Sequence, residues 1–206
     1  MTVYFPCLTR NPYLDQLVAS LNDHEAVDEA SADLIRFWKG PDPNHPVDIV
    51  HIQWPEALLR FSSPRWSELG LLSDRLRAWS ATAKIVCTVH NLHPHGAKNH
   101  LFEQFYNLIY EYCDGIVHLG HASIASVTAC YGLPDKKHSV IPHGNYTCFP
   151  NHLSQAEARR QLGVSSDDAV YLSFGAIRSY EEAKLLLDGF NGLNHRSKRL
   201  LIAGRM

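Results

Sequence analysis

Three histidines and an asparagine, His90, Asn91, His93 and His95, stand directly after the apolar, β-branched run Ile85-Val86-Cys87-Thr88-Val89. An imidazole titrates near neutral pH, so a histidine held at the end of a strand can polarise a hydroxyl or shuttle a proton. The alternative for His90 is a strand-end histidine bonded to backbone. The spacing of His90, His93 and His95 matches no known zinc pattern, and no carboxylate or cysteine adjoins them, so no metal is expected. A second polar loop, Pro142-His143-Gly144-Asn145-Tyr146, follows the run Lys137 to Ile141. Glycine there lets backbone approach a ligand and backbone amides meet a phosphate; the alternative is a turn that needs a positive φ at Gly144. Asn11 and Tyr13 follow the first apolar run and suit contact with a ligand, or else they open a helix with Pro12 at its first position. Gln53, Trp54 and Glu56 follow another run. An aromatic beside polar groups suits stacking on a sugar, although Trp54 can equally seal a domain edge. Near the end, Gly175 and Arg178 precede a helix whose amino terminus favours anions; the alternative for Arg178 is a surface salt bridge to Glu181 or Glu182, and Lys184 lies one turn further on.

These residues need elements to hold them, and the chain supplies a repeating design. Strands are predicted at Val3 to Leu8, Asp48 to Trp54, Lys84 to Val89, Gly115 to Leu119 and Lys137 to Ile141. Helices are predicted from Pro12 to about Leu21, over Asp28 to Trp38, from about Ser63 to Ala81, from about Lys98 to Tyr112 and from His121 to Tyr131. Trp66, Leu69, Leu72, Leu76 and Trp79 recur at spacings of three and four and should pack on the sheet. Leu101, Phe102, Phe105, Leu108, Ile109 and Tyr112 form a similar stripe, which reads as core. His51 lies inside its strand and reads as a hydrogen-bonded core histidine. Apolar strands alternating with amphipathic helices predict an α/β fold, a Rossmann-like doubly wound parallel sheet with right-handed crossovers. Ligands of such sheets bind outside the carboxyl ends of the strands, where the polar loops fall.

After Tyr146 the pattern changes. Residues 147–164 read as an interdomain link and a short helix capped by Ser154. Residues 165–206 begin a second Rossmann-like domain, with strands at Ala169 to Phe174 and Arg199 to Ile202 and a helix at Glu181 to Phe190. One βαβ unit cannot bury both faces of its sheet, so the chain is expected to be a fragment of a longer protein.

Composition narrows the classes. The 206 residues are 45% hydrophobic, enough for a core, and 19 basic against 21 acidic residues give a formal net charge of −2. No overall field favours nucleic acid, which is not expected as a partner. No apolar run nears the roughly 20 residues that span a bilayer, and the amino terminus has no secretory pattern, so a cytoplasmic location is expected, with peripheral association at the inner face of the membrane left open. Five cysteines, at positions 7, 87, 113, 130 and 148, form no C-x-x-C pair and read as reduced thiols, three of them in or beside buried elements. Thirteen histidines are the one compositional anomaly.

The motifs Asn11-Pro12-Tyr13, Val86-Cys87-Thr88-Val89-His90-Asn91, Val140-Ile141-Pro142-His143-Gly144-Asn145-Tyr146, Ala158-Arg159-Arg160-Gln161-Leu162-Gly163-Val164 and Phe174-Gly175-Ala176-Ile177-Arg178-Ser179-Tyr180, in that order, resemble nucleotide-sugar glycosyltransferases of the GT-B fold. The likeness is to bacterial polysaccharide and lipid-linked-sugar mannosyl- and glucosyltransferases, and it covers nearly the whole chain. It implies an acceptor-side domain over residues 1–146 and the first part of a donor-binding domain from 165. It implies transfer of a sugar from a nucleoside diphosphate sugar, a co-substrate rather than a cofactor, to a saccharide or lipid-linked acceptor, without metal. His90 matches the histidine near the transferred sugar. By the same resemblance Asn11, Tyr13, Gln53, Trp54, Asn91 and His93 face the acceptor, and His143, Gly144, Asn145, Gly175 and Arg178 face the donor.

Two departures accompany the likeness. Where the family usually has Gly-Arg-Ile-Arg-Pro-Tyr-Lys-Gly, this chain has Gly175-Ala176-Ile177-Arg178-Ser179-Tyr180-Glu181-Glu182, with Ala176 and Glu181 in the places of two diphosphate-binding cations. The family's Glu-x7-Glu motif has no counterpart before Met206. A carboxylate in place of a cation beside a diphosphate turns attraction into repulsion, worth about 1 kcal/mol or more at short range. The rival expectation is a noncatalytic carbohydrate- or partner-binding module with a degenerate donor site.

Overall fold

The structure is a computed structural model that describes residues 1–8, 11–23, 28–30 by backbone, 33–93, 100–133 and 135–204. It divides into two compact units, Met1–Asn145 and Tyr146–Met206. The first is built on a six-stranded, wholly parallel sheet of strands β1 (Thr2–Tyr4), β2 (Asp28–Ala30), β3 (Ile49–Ile52), β4 (Lys84–Val89), β5 (Gly115–His118) and β6 (Lys137–Val140), in the order β2-β1-β3-β4-β5-β6. With helices between the strands this is the α/β, Rossmann-like doubly wound architecture read from the alternation.

The helices are α1 (Pro12–Asn22), α2 (Leu34–Lys39), α3 (Trp66–Ser80), α4 (His100–Tyr112) and α5 (Ala122–Tyr131), with a 3-10 turn at Pro55–Leu59. Three of these helix starts have a local cause. Asn11 caps α1 by accepting from the Leu14 N–H at 3.0 Å, with Pro12 in the first turn where its missing N–H costs nothing. Asp33 caps α2 by accepting from the Arg36 N–H at 3.1 Å. At α3, the Glu68 carboxylate accepts from the Arg65 N–H at 2.8 Å and from its guanidinium at 2.7 Å. Gly132, at φ 62°, ends α5 in the left-handed conformation that glycine adopts without a Cβ clash.

Crossover handedness decides which face each helix covers. β1 connects to β2 in one direction, whereas β3, β4, β5 and β6 step in the other, so right-handed connections place α1 on one face and α3, α4 and α5 on the opposite one. Packing agrees. Leu14 and Val18 of α1 join Val3, Phe5 and Cys7 in a small cluster. Leu34, Phe37, Leu72, Leu76, Trp79, Phe105, Ile109 and Val127 join Tyr4, Val50, Ile85 and Ile116 in the main core. Trp79 and Trp38 each satisfy the indole N–H on a backbone carbonyl, of Phe37 at 3.1 Å and Leu58 at 3.0 Å. On the α1 side of β4–β6, Val86, Val117, Ser139 and Ile141 line an open hollow of about 470 Å³.

Several local expectations are corrected. Asp28–Ala30 was expected within a helix and is a strand, because pairing in parallel with Thr2–Tyr4 satisfies its backbone while the helix waits for the Asp33 cap. The strand expected from Val3 to Leu8 is shorter, although Phe5 and Cys7 remain buried. Trp66 was placed on the packing face of α3 but is 63% exposed, since it opens the helix a full turn away from the buried stripe. Cys7, Cys87 and Cys113 are buried and Cys130 and Cys148 exposed, none of them in a disulfide.

The second unit comprises α6 (Gln155–Gln161), β7 (Ala169–Phe174), α7 (Tyr180–Gly192) and β8 (Lys198–Ala203), with β7 and β8 paired in parallel. Ser154 and Ser179 cap the two helices. Asp168 is this unit's only buried residue among those described, and it accepts from the Ser165 N–H at 3.0 Å and from Arg199 Nε at 3.2 Å. Gly175, at φ 120°, ends β7 so close to β8 that a Cβ on Gly204 would lie 1.7 Å from the Gly175 carbonyl oxygen.

Candidate functional site

β1 and β3 are neighbours whose onward connections leave in opposite directions, which makes the carboxyl end of this pair the topological switch point of the sheet. Four aromatic side chains converge there from separate elements. Tyr13 comes from the first turn of α1 after β1, Trp54 directly follows β3, His90 directly follows β4, and His143 lies just beyond β6. Tyr13 meets His90 edge-on at 4.9 Å between ring centroids, His143 at 4.9 Å and Trp54 at 6.0 Å. Trp54 and His90 stack at 4.5 Å with 22° between their planes. Tyr13, Trp54 and His90 are half-buried and His143 is exposed, so the cluster borders solvent.

A polar chain runs beneath it. His90 Nε2 lies 3.0 Å from Gln53 Oε1, Gln53 Nε2 lies 3.0 Å from His51 Nε2, and His51 Nε2 lies 2.9 Å from Thr88 Oγ1. Burial holds both His51 and His90 down to about 4, each helped by the neighbouring imidazole, His90 for the first and His143 for the second. Both rings are therefore neutral at pH 7. The β3–β4 register, Ile49↔Lys84 to Ile52↔Cys87, puts His51 and Gln53 on the same sheet face as Val86, Thr88 and His90.

The remaining sequence-predicted residues take distinct places. Asn11 spends its side-chain oxygen on the α1 cap. Gln53 is 2% exposed with both ends of its amide engaged, so it supports His90 from below. Asn91 and His93 continue the His90 loop, half-exposed and without a hydrogen bond to another described residue; His95 lies outside the described residues. His143 Nδ1 lies 2.7 Å from the Gly144 carbonyl, to which it donates. Gly144 does not have the positive φ that a turn reading required, and a Cβ there would come only within 3.9 Å of Gln16. Asn145 is exposed at the end of the first unit.

In the second unit, Gly175 does adopt a positive φ, and the Arg178 side chain forms no ion pair with Glu181 or Glu182. The Arg178 backbone N–H instead donates to Glu182 at 2.7 Å, while Glu182 N–H donates to Ser179. Glu181 is held below the usual carboxylate range by its own backbone N–H and the Ser179 hydroxyl. The start of α7 thus already carries two carboxylates, and Lys184 pairs with Asp188 at 2.5 Å.

Sequence reasoning missed the Thr88–His51–Gln53 support, whose signal was the polar period of two at His51 and Gln53 beside that at Thr88 and His90. It also missed a second network in which His118 bridges Ser123 at 2.7 Å and His138 at 2.8 Å, with His138 Nε2 donating to the Leu133 carbonyl at 2.9 Å. Among the described residues no group of acidic, histidine or cysteine side chains could hold a metal ion, and no helix is long and apolar enough to cross a membrane. No protein-family model and no curated protein matches this chain.

Proposed function

We propose that the protein is a glycosyltransferase of the GT-B kind, moving a sugar from a nucleoside diphosphate donor to a saccharide or lipid-linked acceptor. The observation that carries the reading is the convergence of Tyr13, Trp54, His90 and His143 at the switch point. Aromatic faces suit the apolar face of a pyranose, and a neutral imidazole suits a hydroxyl that must be polarised without an opposing charge. In this reading residues 1–146 hold the acceptor and residues 165–206 belong to the donor side, with Gly175 and Arg178 taking the diphosphate. Transfer takes place in the cytoplasm or at the inner face of the membrane.

The test is transfer of radiolabelled sugar from uridine and guanosine diphosphate donors by the protein, with His90→Ala beside it. Turnover in the variant is expected to fall roughly a hundredfold or more with folding unchanged, as for loss of a positioned proton-transfer group. Transfer at the wild-type rate would remove His90 from the mechanism.

A second reading, a noncatalytic carbohydrate-binding module, draws on the start of α7, where Glu181 and Glu182 already occupy the end of the helix that would receive a diphosphate. Saccharide binding with no transfer from any nucleotide sugar would favour it.

A further inference from the structure

We propose that Gln53 is a positioning residue that fixes His90 as the Nε2–H tautomer and so leaves Nδ1 as the acceptor the imidazole offers to a ligand. A neutral imidazole carries one proton on two nitrogens, and the partner of one nitrogen decides the character of the other. Gln53 Oε1 can only accept, so the His90 nitrogen 3.0 Å away must donate. At its other end the amide presents Nε2, which can only donate, 3.0 Å from His51 Nε2. His51 Nε2 is thereby an acceptor and its proton sits on Nδ1. Thr88 Oγ1, 2.9 Å from the same nitrogen, supplies a hydroxyl that completes its surroundings.

Burial makes the arrangement stiff. Gln53 is 2% exposed and Thr88 1% exposed, so neither can turn to water for a substitute partner without opening the sheet edge. Trp54 stacked on His90 and Tyr13 against its edge hold the ring plane. Among the described residues, the titratable groups facing His90 are Tyr13 from α1, His51 from β3 through Gln53, and His143 from beyond β6, none of them a carboxylate. An imidazole so placed has little support for a positive charge, in keeping with its titration near 4. Nδ1 has no hydrogen-bond partner among the described residues, and it fits a group that donates, such as a sugar hydroxyl, rather than a phosphate oxygen. The bearing on catalysis rests on the glycosyltransferase reading; the tautomer does not.

Long-range ¹H–¹⁵N correlation spectra of the ¹⁵N-labelled protein at pH 7, with His90 assigned by its loss in His90→Ala, read the tautomer directly. The expected result is a protonated Nε2 and an unprotonated Nδ1 in the wild type. Gln53→Leu should convert His90 to a mixture of tautomers. Gln53→Glu should keep the Nε2–H form, raise the His90 titration midpoint by a unit or more, and turn His51 to its own Nε2–H form, because a carboxylate has no proton to donate. A wild-type His90 protonated on Nδ1, which a reversed Gln53 amide would produce, overturns the proposal without any variant. So does an unchanged tautomer in folded Gln53→Leu. If the tautomer is as stated and no sugar is transferred, the glycosyltransferase reading fails alone. If transfer occurs, the acid limb of the kcat profile should move up in Gln53→Glu with the NMR midpoint, a coupling that a merely structural glutamine would not give.

Discussion

At the scale of single residues, the neutral histidines tie stability to pH. His51 and His90 are held near 4 in the fold, against 6.5 when unfolded. Between those values the unfolded chain binds more protons, so stability is full above about pH 6.5 and is lost as pH falls toward 4. Burial also lowers His118, which adds in the same direction. With His90 discounted for its exposure, the first two should together cost about 3 kcal/mol. Urea unfolding at pH 7.5 and at pH 4.5 measures it, and a flat response would show that the rings are not buried neutral. A second residue-scale expectation concerns Arg60 and Phe61, consecutive non-glycine residues at φ 53° and 61°. Phe61 is 64% exposed, so replacing it with glycine relieves a strained backbone and gives up little packing. Phe61→Gly should leave the melting temperature unchanged or raise it, and a clear fall would reveal a contact for that ring. The types of the site residues were legible from sequence, since polar groups after buried runs mark strand ends. Their partners were not, because whether Gln53 meets a ligand or His90 depends on a β3–β4 register that no local pattern encodes.

At the scale of elements, caps and close approaches make the sharpest tests. Asn11→Ala should cost about 1 kcal/mol, whereas Asn11→Asp keeps an accepting oxygen for the Leu14 N–H and should cost little. Thermal unfolding separates the two, and equal losses would mean that the cap is not what Asn11 supplies. Gly204→Ala places a methyl where the Gly175 carbonyl already stands, so the ends of β7 and β8 must part. Faster hydrogen exchange at the Gly175 N–H, which bonds to the Ala203 carbonyl at 2.9 Å, is the expected sign; protection equal to wild type would count against that approach. Long periodic elements were read well from sequence, α3 and α4 above all, because stripes such as Leu69, Leu72, Leu76 and Trp79 have one economical burial. β2 was not. Its three residues, Asp28–Ala30, have no apolar alternation, and only the edge of β1 makes them a strand.

At the scale of the whole molecule, the two units differ in how much they bury. The first contains both apolar clusters, while the second buries Asp168 alone among its described residues and leaves Leu172, Phe174, Tyr180 and Leu185 exposed. Residues 1–145 expressed alone should unfold cooperatively, and residues 146–206 alone should melt broadly or associate; a sharp transition in the latter would show that a single βαβ unit suffices here. The strand order also bears on synthesis. From β4 onward each strand is laid against the one made just before it, always at the same advancing edge. A chain emerging from the ribosome can therefore extend its sheet in the order of translation, without reserving a gap for a late arrival. Tyr13, Trp54, His90 and His143 emerge in that same order, so the site closes only when the final loop of the first unit has left the tunnel.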